Sequence, residues 1–154
     1  MRKLFFLTSI IVVQLSFGQD FNQEKTTLVN FIKRMYVASP FEGVKVIEDY
    51  DHSYLISVVS LEKAKYTSSS MLNRVAQVKA RQLVNTFFNG ATISSDIIIR
   101  TTEQLSKDST STTIETIESI KENSLGFVQG LELLATFDID ESKRVVQMYF
   151  KELK

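Results

Sequence analysis

The sequence predicts an α+β fold: an antiparallel β-sheet covered on one face by two α-helices, in the order α-β-β-α-β-β-β-β. Three observations carry this. Two long segments repeat apolar residues at three- and four-residue spacing, which is the period of a helix face. Several shorter segments alternate apolar and polar residues and are rich in Val, Ile and Thr, as half-buried strands are. Short polar turns separate the extended segments, which suits antiparallel neighbours.

The elements are preceded by an export address. Arg2 and Lys3 form a positive start, and Leu4 to Leu15 form an apolar run. Ser16-Phe17-Gly18 then puts small residues at the −3 and −1 positions that signal peptidase reads. The apolar run falls short of the ~20 residues that span a bilayer. Residues 1–18 therefore read as a signal peptide cut between Gly18 and Gln19. The remaining residues, 19–154, are one domain's worth of chain. The expected compartment is extracytoplasmic, either periplasmic or fully secreted. There is no Cys in the chain, so lipidation on a cysteine, disulfides, thiolate metal sites and a Cys nucleophile are all excluded.

Cleavage also changes the charge. Loss of Arg2 and Lys3 leaves 16 Lys+Arg against 18 Asp+Glu, a net of −2. That is no electrostatic case for nucleic acid, whose binders carry a basic excess. A hydrophobic fraction of 44% and a single Pro suit a globular chain.

Phe21 to about Ala38 reads as the first helix. Leu28, Phe31, Ile32, Met35 and Tyr36 make its apolar stripe, and Ser39-Pro40 ends it, because Pro pushes the preceding residue out of the α region. Asp20 or Asn22 is a candidate cap at its start. Gly43 opens an extended region in which Val44, Val46 and Tyr50 alternate with polar residues. Asp51-His52-Ser53 reads as a turn, and Tyr54 to Leu61 as the second strand of a hairpin.

Thr67 to Ser70 supplies an N-cap for a second helix over about Met71–Phe88. Its stripe is Leu72, Ala76, Ala80, Leu83, Val84 and Phe87. Two alanines in that stripe would let the helix lie close to a sheet. Asn89-Gly90 is a stop signal, because both residues tolerate the left-handed conformation. Ile93, Ser95, Ile97, Ile99 and Thr101 then share one face of a strand. Thr110 to about Ile120 is ambiguous: its Ile spacing of three suits a helix, while four Thr and three Ile favour a strand. Asn123 to Gly126 reads as a loop. A closing hairpin follows, with Leu131, Leu133, Ala135, Phe137 and Ile139 on one strand. Asp140 to Lys143 makes the turn, and Val146, Met148 and Phe150 line the return strand.

The segment from Leu72 to Phe150 resembles the small envelope domain of LPP20-type lipoproteins and the amino-terminal domain of flagellar assembly protein T. The features that carry the resemblance are the Ala- and Arg-containing helix Asn73 to Leu83 after a hairpin, the Ile93-Ser94-Ser95 entry into a strand, and the closing hairpin from Gly130 to Asp138. The resemblance implies an envelope α+β module. Lipoproteins of that type carry a lipidated Cys, which this chain lacks, so no membrane anchor is implied. The resemblance brings no catalytic residues with it. A rival resemblance, to the exported oligomer-forming SIMPL domains, would need two similar halves, and none are seen.

Chemical motifs are sparse. His52 is the single histidine, which excludes a His-pair metal site. It sits in the expected turn, where a solvent-exposed role is the ordinary one. No Gly-x-Ser-x-Gly elbow is present. Asp138-Ile-Asp140 starts like a calcium loop, but Lys143 and Tyr149 stand where such a loop needs Gly and Glu. No cofactor or metal is expected, and the chain is read as a non-enzymatic module that works through an envelope protein partner or through self-association. The alternative is a binding module for an anionic glycan or lipid headgroup. Its candidate residues are Arg74, Lys79 and Arg81 on the second helix, a segment without acidic residues from Met71 to Gly90.

Overall fold

The computed structural model describes residues 17–49, 52–90, 98–100, 107–121 and 124–153. The chain divides into two compact units, Met1–Pro40 and Phe41–Lys154. The first contains α1 (Phe17–Ala38), a helix that takes in Gly18 and Gln19. Leu28, Ile32 and Tyr36 are buried at the four-residue spacing expected of the stripe. The Ser39 N–H donates to the Met35 carbonyl, and the helix stops before Pro40 as the sequence predicts.

The second unit is an α+β domain. Its elements are β1 (Gly43–Asp49), β2 (His52–Glu62), a 3-10 turn (Lys63–Lys65), α2 (Ser69–Gly90), β3 (Ile98–Arg100), α3 (Lys107–Lys121), α4 (Ser124–Gln129), β4 (Glu132–Ile139) and β5 (Arg144–Leu153). The five strands form one sheet in the order β3-β1-β2-β5-β4.

The α+β class holds, and two details differ from expectation. The sheet is mixed, because β3 pairs parallel to β1, with Ile47 opposite Ile99. A connection through α2 carries the chain from β2 past β1 to the far edge, which a tight turn could not do. The order is α-β-β-α-β-α-α-β-β, because residues expected as a strand at 110–120 form α3, and the expected loop at 123–126 runs into α4. In α3, Thr113 and Ile117 are buried four residues apart, so the core claims a helical stripe that outweighs the β-propensity of Thr and Ile. The Ser53 and Thr113 hydroxyls meet at 3.2 Å and tie α3 to β2. Residues 91–97 of the expected strand lie outside the described residues, as do Tyr50 and Asp51.

Residue parity explains the core. In β2, Leu55, Val59 and Leu61 face α2 together with Val145 and Tyr149 of β5, and Ala76, Ala80, Val84 and Phe88 of the helix close over them. Ala76 and Ala80 are fully buried. The backbones approach closely enough for the Ser57 hydroxyl to donate to the Ala80 carbonyl at 3.3 Å. Ser68 caps α2: its Oγ accepts from the Met71 N–H at 3.2 Å, which satisfies one of the orphan donors of the first turn. The central strands are buried on both faces, with Ile56 and Val58 as inaccessible as Leu55. Burial at the sheet centre is therefore not confined to one face, as the expected covering of one face by two helices would have it.

Exposure gathers instead at β4. A register shift between Leu133 and Ala135 interrupts the expected run from Leu131 to Ile139 on one face. Leu131 is buried in the α2-side core, while Leu133 is half exposed. The closing turn is tight: Asp140, Glu141 and Ser142 all have positive φ, at 52°, 54° and 67°, a region that Asp tolerates better than most residues. Arg144 opens β5 and binds the Ser60 hydroxyl through Nε at 3.0 Å and Nη2 at 2.9 Å. It also reaches the Glu62 and Glu42 carboxylates, so one guanidinium joins the hairpin to β2 and to the segment before β1.

Candidate functional site

The three basic residues proposed on the second helix do not form one patch. Arg74 and Arg81 lie about 20° apart around α2, but Lys79 is about 140–160° away from them at 100° per residue. Arg74 and Lys79 are exposed, whereas Arg81 is partly buried. Arg81 Nη2 donates to the Gln129 carbonyl at 3.5 Å, at the end of α4. Lys151 Nζ donates to the Phe127 carbonyl at 3.3 Å and lies 4.7 Å from the Phe127 ring centre. Two cations from distant parts of the chain thus satisfy the carbonyls at one helix C-terminus, where positive charge is favourable. Arg81 also opposes the effect of burial on Tyr149, whose ionisation burial raises above the ordinary range. The structure employs Arg81 in packing, which leaves a divided basic surface.

His52 does not sit in the turn. It is the first residue of β2, opposite Asp49, and its Nδ1 lies 2.8 Å from Glu152 Oε1. Its ring lies 6.1 Å from that of Tyr54. Ser53 points the other way, toward Thr113, as alternation along a strand requires. A Ser-His pairing between these neighbours is therefore ruled out by geometry. Asp138 and Asp140 are also separated in role. Asp138 Oδ1 pairs with Lys63 Nζ at 2.7 Å, and Asp140 lies on the Arg144 side.

The feature that sequence reasoning missed is a cleft of about 510 Å³ between the start of α2 and the β4–β5 hairpin. Its floor is Leu72, Val145 and Gln147, and its β4 wall is Thr136 and Asp138. Tyr66, Thr67, Ser68 and Ser69 make the lip, with Lys63 at one end and Asn73 at the other side. The 3-10 turn is fixed to the hairpin by the Lys63 N–H, which donates to the Lys143 carbonyl at 2.9 Å.

A polar relay runs from the core to this cleft. The Tyr149 hydroxyl donates to Gln147 Oε1, and Gln147 Nε2 donates to Asn73 Oδ1, each over 2.7 Å. Gln147 is 2% exposed, and both ends of its amide are held, as a buried amide requires. Gln147 between Val146 and Met148 fits the ordinary alternation of a half-buried strand, so the sequence carries no signal that this amide is buried.

Beside the cleft lies one edge of the sheet. β4 is last in the strand order and, among the described residues, pairs with β5 alone. Its central run Leu133 to Phe137 carries no charge, while Glu132 and Asp138 at either end of that run and the register shift after Leu133 are devices that protect an edge.

No family model, curated protein or solved structure matches this chain. Among the described residues, no helix is long and apolar enough to cross a membrane, and no group of three His, Asp or Glu residues is placed to hold a metal ion.

Proposed function

We propose that the protein is an exported, non-enzymatic envelope module that binds an extended polypeptide segment by strand addition to β4. The place of β4 at the end of the strand order carries this reading: among the described residues its one strand partner is β5, and strand addition uses such an edge for affinity and the neighbouring surface for specificity. The export address of residues 1–18 supports an envelope setting, and the resemblance to LPP20-type and flagellar assembly protein T domains agrees with it. Periplasm and secretion are both served by that address.

Hydrogen exchange on protein expressed from the full sequence tests the reading. The probe is a strand-forming peptide, Thr-Val-Thr-Gln-Thr-Val-Thr. Strand addition slows exchange of β4 amides and leaves those of β1 unchanged, and Leu133→Lys weakens the protection. Unchanged β4 exchange at saturating peptide would overturn it.

A further inference from the structure

We infer that the mature protein is closed at its amino end, with Gln19 converted to the five-membered lactam pyroglutamate. This rests on the export reading and adds a covalent modification site to it.

Residue type carries the chemistry. Cleavage after Gly18 makes Gln19 the first residue of the mature chain. A glutamine in that place holds a carboxamide within reach of its own α-amine, in a ring of unstrained size. The neutral α-amine attacks the side-chain carbonyl carbon. A bond forms between that carbon and the α-nitrogen, and the bond from the carbon to the amide nitrogen breaks. The amide nitrogen takes the proton that the amine gives up and leaves as ammonia. No oxidant, second substrate or cofactor enters the step.

The fold then favours the closed end. α1 runs from Phe17 to Ala38, so after cleavage Gln19 begins the helix. The N–H groups of a first helical turn have no carbonyl partner inside the helix, so closing the ring withdraws no bond from the ladder. An ammonium at that end opposes the helix dipole, and the lactam removes the charge. Asp20 and Glu24, the nearest charged residues in sequence, already have the sign the dipole favours. The buried stripe of Leu28, Ile32 and Tyr36 lies further along α1. Its first member is roughly 14 Å from Gln19 at the rise of a helix, so closure leaves the packing of α1 untouched.

Amine labelling with mass measurement tests the inference. Protein expressed from the full sequence is recovered from the envelope or medium of a bacterial host and held in neutral phosphate buffer for several days. It is then labelled at free amines and digested with trypsin. The peptide from Gln19 to Lys25 emerges without label on its amino end and lighter by one ammonia. The closed protein resists an aminopeptidase until pyroglutamyl peptidase removes the ring. Gln19→Asn, whose shorter side chain cannot close that ring, keeps a labelled amine and is trimmed from the start. A Gln19 that still takes the label would overturn the inference and leave export and strand addition standing. A chain that still begins at Met1 would overturn the export reading and this inference together.

Discussion

Gln147 and Asn73 join β5 to the first turns of α2, with the buried Gln147 amide donating to the exposed Asn73 carboxamide over 2.7 Å. The bond has two consequences. It anchors the start of the helix to the sheet beside Leu72, Val145 and Tyr149 of the core. It also fixes the carboxamide of Asn73, which lines the cleft, so the same contact serves the packing and the cleft wall.

Tyr149→Phe removes the donor to Gln147 Oε1 and leaves a buried acceptor unsatisfied, which costs about 1–3 kcal/mol. Urea unfolding at neutral pH reads the loss. The unaltered protein carries a related pH signature. Burial holds the Tyr149 phenol above its ordinary range, partly offset by Arg81. The folded state therefore keeps its proton where the unfolded chain loses it. Stability is untouched at neutral pH and falls as the pH rises through the ordinary tyrosine range of about 10. The phenylalanine variant loses that part of the alkaline decline.

Ala80→Leu forces a larger side chain into the closest approach of α2 to β2, where the Ser57 hydroxyl meets the Ala80 carbonyl. Overpacking of this kind costs about 1–3 kcal/mol. Gln82→Leu, on the same helix but exposed, stays within about 0.5 kcal/mol of the parent. Equal thermal shifts for the two variants would contradict the close packing of the helix on the sheet.

Arg74 and Arg81 separate in the same way. Arg74→Glu at an exposed position leaves stability within about 0.5 kcal/mol. Arg81→Glu puts a negative charge at the C-terminus of α4 in place of a cation, and costs about 1 kcal/mol or more. Denaturant midpoints measure both. A basic face acting as one binding surface would instead show equal losses of affinity for an anionic polysaccharide such as heparin, and little effect of either change on stability.

Export is read by intact mass. Protein recovered from the envelope or medium of a bacterial host lacks residues 1–18 and begins at Gln19. A retained Met1 would contradict the signal-peptide reading.

Much of the fold was legible because its signals are local. Of the stripe Leu72, Ala76, Ala80, Leu83, Val84 and Phe87, all are buried as the spacing implies except Leu83, which is partly buried against the core; Ser68 caps the helix from the predicted Thr67–Ser70 segment, and Asp140 to Lys143 turns the chain. Residues 110–120 were ambiguous because Ile spaced by three and a Thr-rich composition point in opposite directions; burial of Thr113 and Ile117 against the sheet decides for helix. Little of the cleft was legible. Lys63, Asn73, Thr136 and Gln147 are ordinary polar residues spread over the chain, and no spacing rule connects them. Arg81 looked free for the same reason: the carbonyl it binds lies 48 residues away.

The sequence by itself determined the kind of elements, most of their limits and the α+β class, because periodicity, caps and turn chemistry act over a few residues. Only the tertiary structure decided that β3 lies parallel to β1, that β4 ends the strand order, and that a cleft stands beside it. Those depend on which strands pair across the whole chain, and the free energy of that choice resides in the shared core rather than in any one segment.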